Sequence, residues 1–275
     1  MKKLKHKTMI GLFTLIPIAV TLSVLPNFSI AVTPYQLNTL TIPDSFEGFK
    51  IVQISDLHND SFGNKQSSLI KKIQTQSPDL IVITGDLIDS SHPDLNAVMD
   101  LINGIKTLSP IYFISGNHEE RLDSNTYETL KSQLRNAGVI VLENEIITLQ
   151  NEQQESIKII GLRDNASSST LNSLIDQLDP NDFSILLAHH PERFEIYAAN
   201  KIDLIFSGHA HGGQVRIPLI GALIAPDQGF FPKYTQGLYK LNQSTMVVSR
   251  GLGNSVVPIR FFNGPELVTL TLRKS

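Results

Sequence analysis

The chain has 275 residues, of which 41% are hydrophobic and 18% are charged, and it contains no cysteine. This composition is typical of a globular protein with a sizeable buried core, and it excludes a disordered chain. Disulfides and thiolate metal ligands are also excluded, so any metal ion has to be held by His, Asp, Glu or Asn.

The N-terminus predicts membrane targeting. Four lysines within residues 1–7 precede an uncharged, mostly apolar run at 9–25, and the run Ser-Ile-Ala at 29–31 contains the small residues that a signal peptidase prefers. We assign residues 1–31 to a signal peptide or an N-terminal membrane anchor, and the sequence leaves both alternatives open. Because the lysines are expected to stay in the cytoplasm, the rest of the chain is expected on the extracytoplasmic side of the membrane.

The remainder of the chain is acidic. Since the four lysines have no acidic counterpart within residues 1–31, 19 basic and 26 acidic side chains remain after that segment. A chain with this charge balance is not expected to present a nucleic-acid-binding surface.

After a connecting segment at 32–47, residues 48–275 read as one α/β domain. Short β-rich runs alternate with segments of helical periodicity, which is typical of that fold class. One helix is predicted with Pro93 as its first residue and another before Gly138, both from the spacing of their apolar residues. The predicted strands are KIVQIS, LIVIT, IYFIS, SILLA and DLIFS.

A second group of strands is predicted later in the chain. EIITLQ and SIKIIGL, joined by a polar turn, are typical of an antiparallel hairpin, and TQGLYKL, STMVVS and ELVTLTL have the composition of further strands. These segments favour a second sheet.

Side chains that can bind metal follow each of the five apolar strands. In α/β sheets the carboxyl ends of the strands form the sites, so we expect these side chains to gather at one rim. Taken singly, each has an ordinary role as a helix cap or a turn residue. Structural caps have no reason to follow five strands and to include several histidines, so a shared metal site is the favoured interpretation. The candidate ligands are Asp56, His58, Asp86, Asn117, His189, His209 and His211.

The order of these motifs resembles the calcineurin-like metallophosphoesterase superfamily. The motifs are Asp-x-His, Gly-Asp-x-x-Asp, Gly-Asn-His-Glu, His-x-Pro and Gly-His-x-His-Gly-Gly-Gln, and the resemblance runs from about residue 48 to the C-terminus. The tail SRGLGNSVVPIRFFNGPE is similar to that of bacterial exported or membrane-anchored phosphodiesterases. The resemblance implies a four-layer α-β-β-α sandwich, in which two facing mixed β-sheets are flanked by helices.

The resemblance also implies a ligand set and a reaction. Asp56, His58 and His211 would hold one divalent ion, Asn117, His189 and His209 a second, and Asp86 would bridge the two. A hydroxide between the ions would attack the phosphorus of a phosphoester, with a phosphodiester favoured over a monoester. Mn, Fe, Zn or Ni would suit these ligands.

Three further residue groups have predicted roles. His118 resembles the family's catalytic histidine, which acts on the leaving group or the phosphoryl group without binding metal. Asp89 is expected to orient a ligand histidine. Phe230 and Phe231 either line an apolar approach for a lipid substrate or are buried.

Two alternative functions are weighed against a phosphoester hydrolase. A non-catalytic metal-binding scaffold is disfavoured because no ligand motif is missing. A lipid-nucleotide pyrophosphatase of envelope biosynthesis would need cytoplasmic access to its substrate, which conflicts with the predicted orientation. The sequence gives no indication of an oligomeric state.

Overall fold

Two six-stranded mixed sheets form the centre of the protein in the computed structural model, which describes residues 29–254 and 260–275. The first sheet consists, in spatial order, of β1 (Ala31–Thr39), β16 (Glu266–Lys274), β2 (Lys50–Ile54), β3 (Leu80–Thr84), β4 (Ile111–Ile114) and β5 (Ile140–Val141). The second consists of β14 (Gly237–Leu241), β15 (Ser244–Val248), β9 (Leu204–Ser207), β8 (Ser184–Leu187), β7 (Ser156–Gly161) and β6 (Glu145–Gln150).

Helices cover the outer faces of both sheets, and two small hairpins follow β9. The helices are α1 (Ser67–Gln74), α2 (Leu95–Ile105), α3 (Asn117–Glu120), α4 (Ser124–Asn136), α5 (Ser168–Ile175) and α6 (Phe194–Ala199). The hairpins are formed by β10 (Arg216–Ile217) with β11 (Gly221–Ala222), and by β12 (Ile224–Ala225) with β13 (Gly229–Phe230). Short 3₁₀ turns lie at Asp44–Phe46, Asn64–Gln66, Pro191–Arg193 and His211–Gly213.

Three apolar layers hold these elements together. Alternate residues of β3 point to opposite faces, so Ile81 and Ile83 pack with helices α1, α2 and α4, while Leu80 and Val82 face the second sheet. The layer between the sheets also contains residues of β7, β8, β9 and β15, and a third layer lies between the second sheet and helices α5 and α6. The fold is therefore the predicted four-layer α-β-β-α sandwich.

The predicted elements are present, but the sheet assignment needs correction. All five apolar runs are strands, yet β2, β3 and β4 belong to the first sheet, and β8 and β9 belong to the second. The sequence favours the second sheet for the last strand, β16. In the structure β16 pairs antiparallel with β2 in the first sheet, and Val268 lies opposite Gln53. Periodicity shows that a segment is a strand and does not show its partner, because pairing depends on contacts far apart in sequence.

Two boundaries also differ from expectation. Part of the segment 32–47 is strand β1, which runs parallel to β16 at the edge of the first sheet. Its side chains are mostly exposed or half-buried, which explains why its sequence lacks a strong strand pattern. Helix α2 begins at Leu95 and not at Pro93, because the Asp94 side chain caps it by accepting the N–H of Asn96.

The predicted targeting segment lies outside the described residues as far as residue 28. Within 29–254 and 260–275, no helix has the length and apolar character needed to cross a membrane.

Candidate metal centre

The ends of five strands from both sheets meet at one rim, and the seven predicted ligand residues lie there together. Contacts across the rim join loops that are far apart in the chain. The backbone N–H of His209, after β9, donates to Asp56 Oδ1, after β2, at 2.9 Å. The backbone N–H of His118 donates to Asp86 Oδ1, after β3, at 2.8 Å.

A first group of four buried side chains surrounds one position at this rim. It contains Asp56, His58, Asp86 and His211, with ligand-type atoms all within 4.8 Å of one another. The Nε2 atoms of His58 and His211 are 3.2 Å apart, and His58 Nε2 is 3.6 Å from Asp86 Oδ2. His211 Nε2 is also 3.6 Å from Asp56 Oδ1.

A second group shares Asp86 with the first. His189 Nε2 lies 3.2 Å from Asp86 Oδ2 and 3.2 Å from His209 Nδ1. The side-chain amide of Asn117, at the start of α3, reaches both histidines, at 3.2 Å from His189 Nε2 and 3.0 Å from His209 Nδ1. The two groups match the division into two ligand sets that the family resemblance implies, with Asp86 between them.

The surroundings of the Asn117 amide fit a cation. One end of this amide faces Asp86 Oδ2, His189 Nε2 and His209 Nδ1, and the other faces the Arg121 guanidinium. A cation among the three acceptors favours the amide oxygen on their side, whereas the amide nitrogen would otherwise turn towards them. With carboxylate and imidazole groups on every side, the donor set suits a divalent transition metal.

The backbone at the rim is held in an unfavourable conformation. Five of the seven residues have φ in the left-handed region, namely Asp56 at 50°, His58 at 48°, Asp86 at 54°, His209 at 64° and His211 at 46°. Such a conformation costs about 1–3 kcal/mol per non-glycine residue and is found mainly where function requires it. The surrounding structure therefore stabilises a strained arrangement that directs these side chains inwards.

Burial prepares the imidazoles for metal binding. It lowers the pKa of His58 and of His209 to about 4, and the pKa of His211 lies well below its ordinary value for the same reason. These rings are neutral at pH 7, which is the form that binds metal. His189 differs from these rings when no metal is bound: burial disfavours its charged form, but the neighbouring Asp86 raises the pKa of His189 well above its ordinary value, and the charged His189 holds the pKa of Asp86 well below its usual range. A metal ion bound at His189 Nε2 would displace this proton.

Hydrogen bonds behind the candidate ligands orient two of the rings. His189 Nδ1 donates to the carbonyl oxygen of Thr84 at 2.7 Å, which directs its Nε2 lone pair into the site. His209 Nε2 lies 2.7 Å from Asp227 Oδ2, so that its Nδ1 lone pair faces the site. Asp227, at the tip of the hairpin β12–β13, was not predicted, because its partner is 18 residues away in the chain.

A second unpredicted residue, Glu119, ties two loops of the rim together. This fully buried carboxylate accepts the N–H groups of Asp86 and Gly116 at 2.8 Å each and that of Ile88 at 3.2 Å. Burial, with a contribution from the Asp86 charge, raises the pKa of Glu119 to about 7. The motif Gly-Asn-His-Glu contains Glu119, but nothing local in the sequence shows which backbone groups it binds.

His118 lies beside the two groups and not within them. Its ring packs edge-on against the His58 ring, with centroids 4.5 Å apart, and its Nδ1 accepts the N–H of Ser90 at 3.1 Å. Asp89 Oδ1 is 3.6 Å from the same nitrogen. The expectation that Asp89 orients a ligand histidine therefore needs correction, because the histidine that it approaches is His118.

Close approaches at the rim require glycine. A Cβ atom on Gly208 would lie 2.5 Å from Asp56 Oδ2, and one on Gly116 would collide with the Asp86 carboxylate. The turn after His211 has positive φ at both Gly212 and Gly213, as its sequence indicates.

The sandwich fold and a rim of buried Asp and His side chains, with the half-buried Asn117 beside them, together define a metal-dependent phosphoesterase. The family model for calcineurin-like phosphoesterases matches residues 49–213. The chain belongs to this family.

Proteins of similar sequence align with most of the chain. A metallophosphoesterase of Bacillus subtilis, YkuE, whose function is uncharacterised, is 34% identical over 90% of this chain and 86% of its own length. The phosphodiesterase YaeI of Escherichia coli is 30% identical over 83% of this chain and 84% of its own. A bovine transmembrane protein with a metallophosphoesterase domain is also 30% identical, over 88% of this chain but 57% of its own length.

Solved structures share the fold. The crystal structure of TT1561 from Thermus thermophilus superposes with a TM-score of 0.51 and 11% identity, covering 74% of this chain and 90% of that protein. At this identity the likeness concerns the fold alone.

Proposed function

We propose that the rim holds two divalent ions and that the protein hydrolyses phosphodiesters. Asp56, His58 and His211 are assigned to one ion, and Asn117, His189 and His209 to the other, with Asp86 shared between both. The observation that carries this proposal is that two buried groups of ligand-type atoms meet at a single carboxylate. Mn, Fe, Zn and Ni are the ions that this mixture of imidazole and carboxylate suits.

Two bound ions supply a hydroxide nucleophile near neutral pH and offset the negative charge on the phosphoryl oxygens. The chain's own residues hold the site ready for this chemistry. Asp56 Oδ1 accepts the N–H of His209 and so fixes the distance between two ligand loops. Thr84 and Asp227 fix the orientation of the His189 and His209 rings, which leaves their unprotonated nitrogens directed inwards.

His118 is proposed as the residue that assists the leaving group. Because its Nδ1 accepts the N–H of Ser90, the neutral ring carries its proton on Nε2. A donor next to His58 is placed to hydrogen-bond to an oxygen of the substrate and to stabilise the negative charge that develops on the departing oxygen.

A diesterase is favoured over a monoesterase because the similar protein YaeI is named a phosphodiesterase. The scaffold alternative is disfavoured since every ligand motif reaches the rim and His118 lies next to it. A lipid-nucleotide pyrophosphatase remains the alternative within the same chemistry.

We also propose that residues 1–31 export the protein or anchor it, with the catalytic domain on the extracytoplasmic side. The basic and apolar N-terminal sequence supports this proposal. Protease accessibility of the domain in intact cells tests it, and protection of the domain until the membrane is disrupted would contradict it.

Hydrolysis is tested with the purified full chain in detergent. Bis-nitrophenyl phosphate and nitrophenyl phosphate are assayed in parallel after removal of metal and addition of Mn, Fe, Zn or Ni. We expect metal-dependent release of nitrophenol, faster from the diester, and its loss in Asp86→Ala. The control is His92→Ala, since His92 is exposed and outside both groups. Metal-independent hydrolysis, or equal loss in the control, would contradict the proposal.

A further inference from the structure

Exposed apolar side chains are concentrated in the two small hairpins beside the metal centre. Ten large apolar side chains are exposed among the described residues, and six of them lie between residues 217 and 231. We call this group the hairpin surface, and it consists of Ile217, Leu219, Ile220, Ile224, Phe230 and Phe231. Contiguous apolar surface of this kind marks an interaction site in a folded protein.

Side-chain exposure is greatest in the turn of the first hairpin and at the end of the second hairpin. Leu219, in the turn between β10 and β11, is completely exposed, and Phe230 and Phe231 are 77% and 69% exposed. Ile224 and Phe230 are cross-strand partners in β12 and β13. The sequence left Phe230 and Phe231 open as either buried residues or an apolar approach, and the structure shows that they are not buried.

The hairpin surface is joined directly to the metal centre. The first hairpin follows the turn that contains His211, and its Gly213 is in close contact with Ala222 of β11. The second hairpin carries Asp227, which is hydrogen-bonded to His209. The hairpin surface therefore lies close to the candidate site, both along the chain and in space.

The N-terminal end of the described chain leaves from the same rim. The N–H of Ala31 donates to the carbonyl oxygen of Pro265, and the N–H of Glu266 donates to that of Gly251. The adjoining Leu252 N–H donates to Ser55, next to Asp56. Ile30 is buried against this segment, in the same apolar cluster as Leu57 and Leu252.

Residues 261–265 connect the first hairpin with the N-terminal end of the described chain. Phe261 accepts the N–H of Arg216 at the base of the first hairpin, and Pro265 accepts that of Ala31. Phe262, between them, is itself 41% exposed. The described chain thus begins, at residue 29, on the rim that carries both the metal centre and the hairpin surface, and the apolar run at 9–25 precedes it in the sequence.

We infer that the hairpin surface docks on a lipid bilayer, which turns the metal centre towards phosphoesters at the bilayer surface. An apolar N-terminal segment that enters a membrane brings this rim to the membrane, because the chain leaves the domain there. Exposed Leu, Ile and Phe side chains, such as those of the hairpin surface, are suited to burial at the boundary of the acyl chains. The inference deepens the proposed function, on which its substrate class rests: a phosphodiester of a membrane lipid.

Docking is tested by fluorescence. Because the chain has no tryptophan, a single introduced tryptophan reports on its own position relative to the bilayer. The full chain carrying Phe230→Trp is reconstituted into phosphatidylcholine and phosphatidylglycerol vesicles that contain brominated acyl chains. The matched control is Leu40→Trp, because Leu40 is also exposed, at 72%, but follows Thr39 at the end of β1 opposite to Ala31 and the rim. We expect strong quenching for Phe230→Trp and little for Leu40→Trp.

The consequence for catalysis is measured in the same vesicles. Leu219→Ser with Phe230→Ser and Phe231→Ser is expected to reduce hydrolysis of a bilayer phosphodiester by at least about tenfold, because three apolar anchors are lost. Hydrolysis of soluble bis-nitrophenyl phosphate should stay within about twofold, and Leu40→Ser should change neither rate.

Two results would overturn the inference: equal quenching at both positions, or no quenching for Phe230→Trp. An equal loss on soluble and bilayer substrates would also contradict it, since the hairpin would then support the site and not the membrane contact. Failure of the proposed function can be distinguished from failure of the docking inference. If the proposed function is wrong, the unaltered chain does not hydrolyse the soluble diester, whereas Phe230→Trp is still quenched in the vesicles.

Discussion

Replacement of Glu119 by alanine should destabilise the protein and loosen the metal centre together. The Glu119 carboxylate is completely buried and accepts three backbone N–H groups, from Asp86, Gly116 and Ile88. These groups lie in the loops after β3 and β4, which carry candidate metal ligands. In the alanine variant these three N–H groups have no other acceptor.

The expected magnitude follows from the number of donors. A buried N–H group without a partner costs about 1–3 kcal/mol, so three such groups give an upper range of about 3–9 kcal/mol. Water that enters the vacated space satisfies part of this requirement, and we therefore expect a loss of about 3–5 kcal/mol in the free energy of unfolding. Glu119→Gln keeps one carbonyl oxygen and should lose about 1–3 kcal/mol.

Urea denaturation of the full chain measures these values, with a chelator present so that metal binding does not contribute to stability. Glu128→Ala is the control, because Glu128 is 66% exposed and the buried Lys131 with which it pairs keeps a second carboxylate partner, Glu143. Loss of an exposed carboxylate of this kind is expected to cost about 0–1 kcal/mol. If Glu119→Ala were destabilised no more than Glu128→Ala, the three hydrogen bonds would not be what holds the two loops.

Three further variants separate metal assembly from catalysis. Asp86→Ala should abolish activity more completely than Asp56→Ala, because Asp86 is shared by both groups, and two ions per chain retained on metal analysis would refute the shared role. Asp227→Asn should weaken metal binding by about 10–100-fold through the His209 ring, measured by metal titration, and unchanged affinity would count against that contact. His118→Ala should retain metal but lose about 10²–10⁴-fold in rate. That loss should shrink for nitrophenol leaving groups, whereas an equal loss for all leaving groups would indicate that His118 stabilises the phosphoryl oxygens.

The candidate site was predictable because each of its side chains follows a strand that its own sequence reveals. LIVIT and DLIFS are mainly apolar, as is typical of strands buried on both faces, and Asp86 and His209 each follow after a single glycine. The carboxyl ends of such strands form a common rim, so local patterns alone bring the seven residues together.

The supporting residues were not predictable in the same way. Glu119 and Asp227 are carboxylates in polar segments, which is where carboxylates usually occur, and only the folded chain brings them to the N–H of Ile88 and to His209. Their roles depend on hydrogen bonds between separate loops, and such bonds have no periodicity in the sequence.

The sequence by itself determined most of the central strands, two of the helices and the candidate metal ligands, because apolar periodicity and strand ends are local properties. Only the tertiary structure decided that β16 joins the first sheet and that the N-terminal end of the described chain leaves beside Asp56. It alone showed that Phe230 and Phe231 are exposed. The pairing of a strand and the exposure of a side chain depend on which distant segments pack against them. An apolar run has the same sequence whether another segment covers it or not, so the sequence alone does not reveal either property.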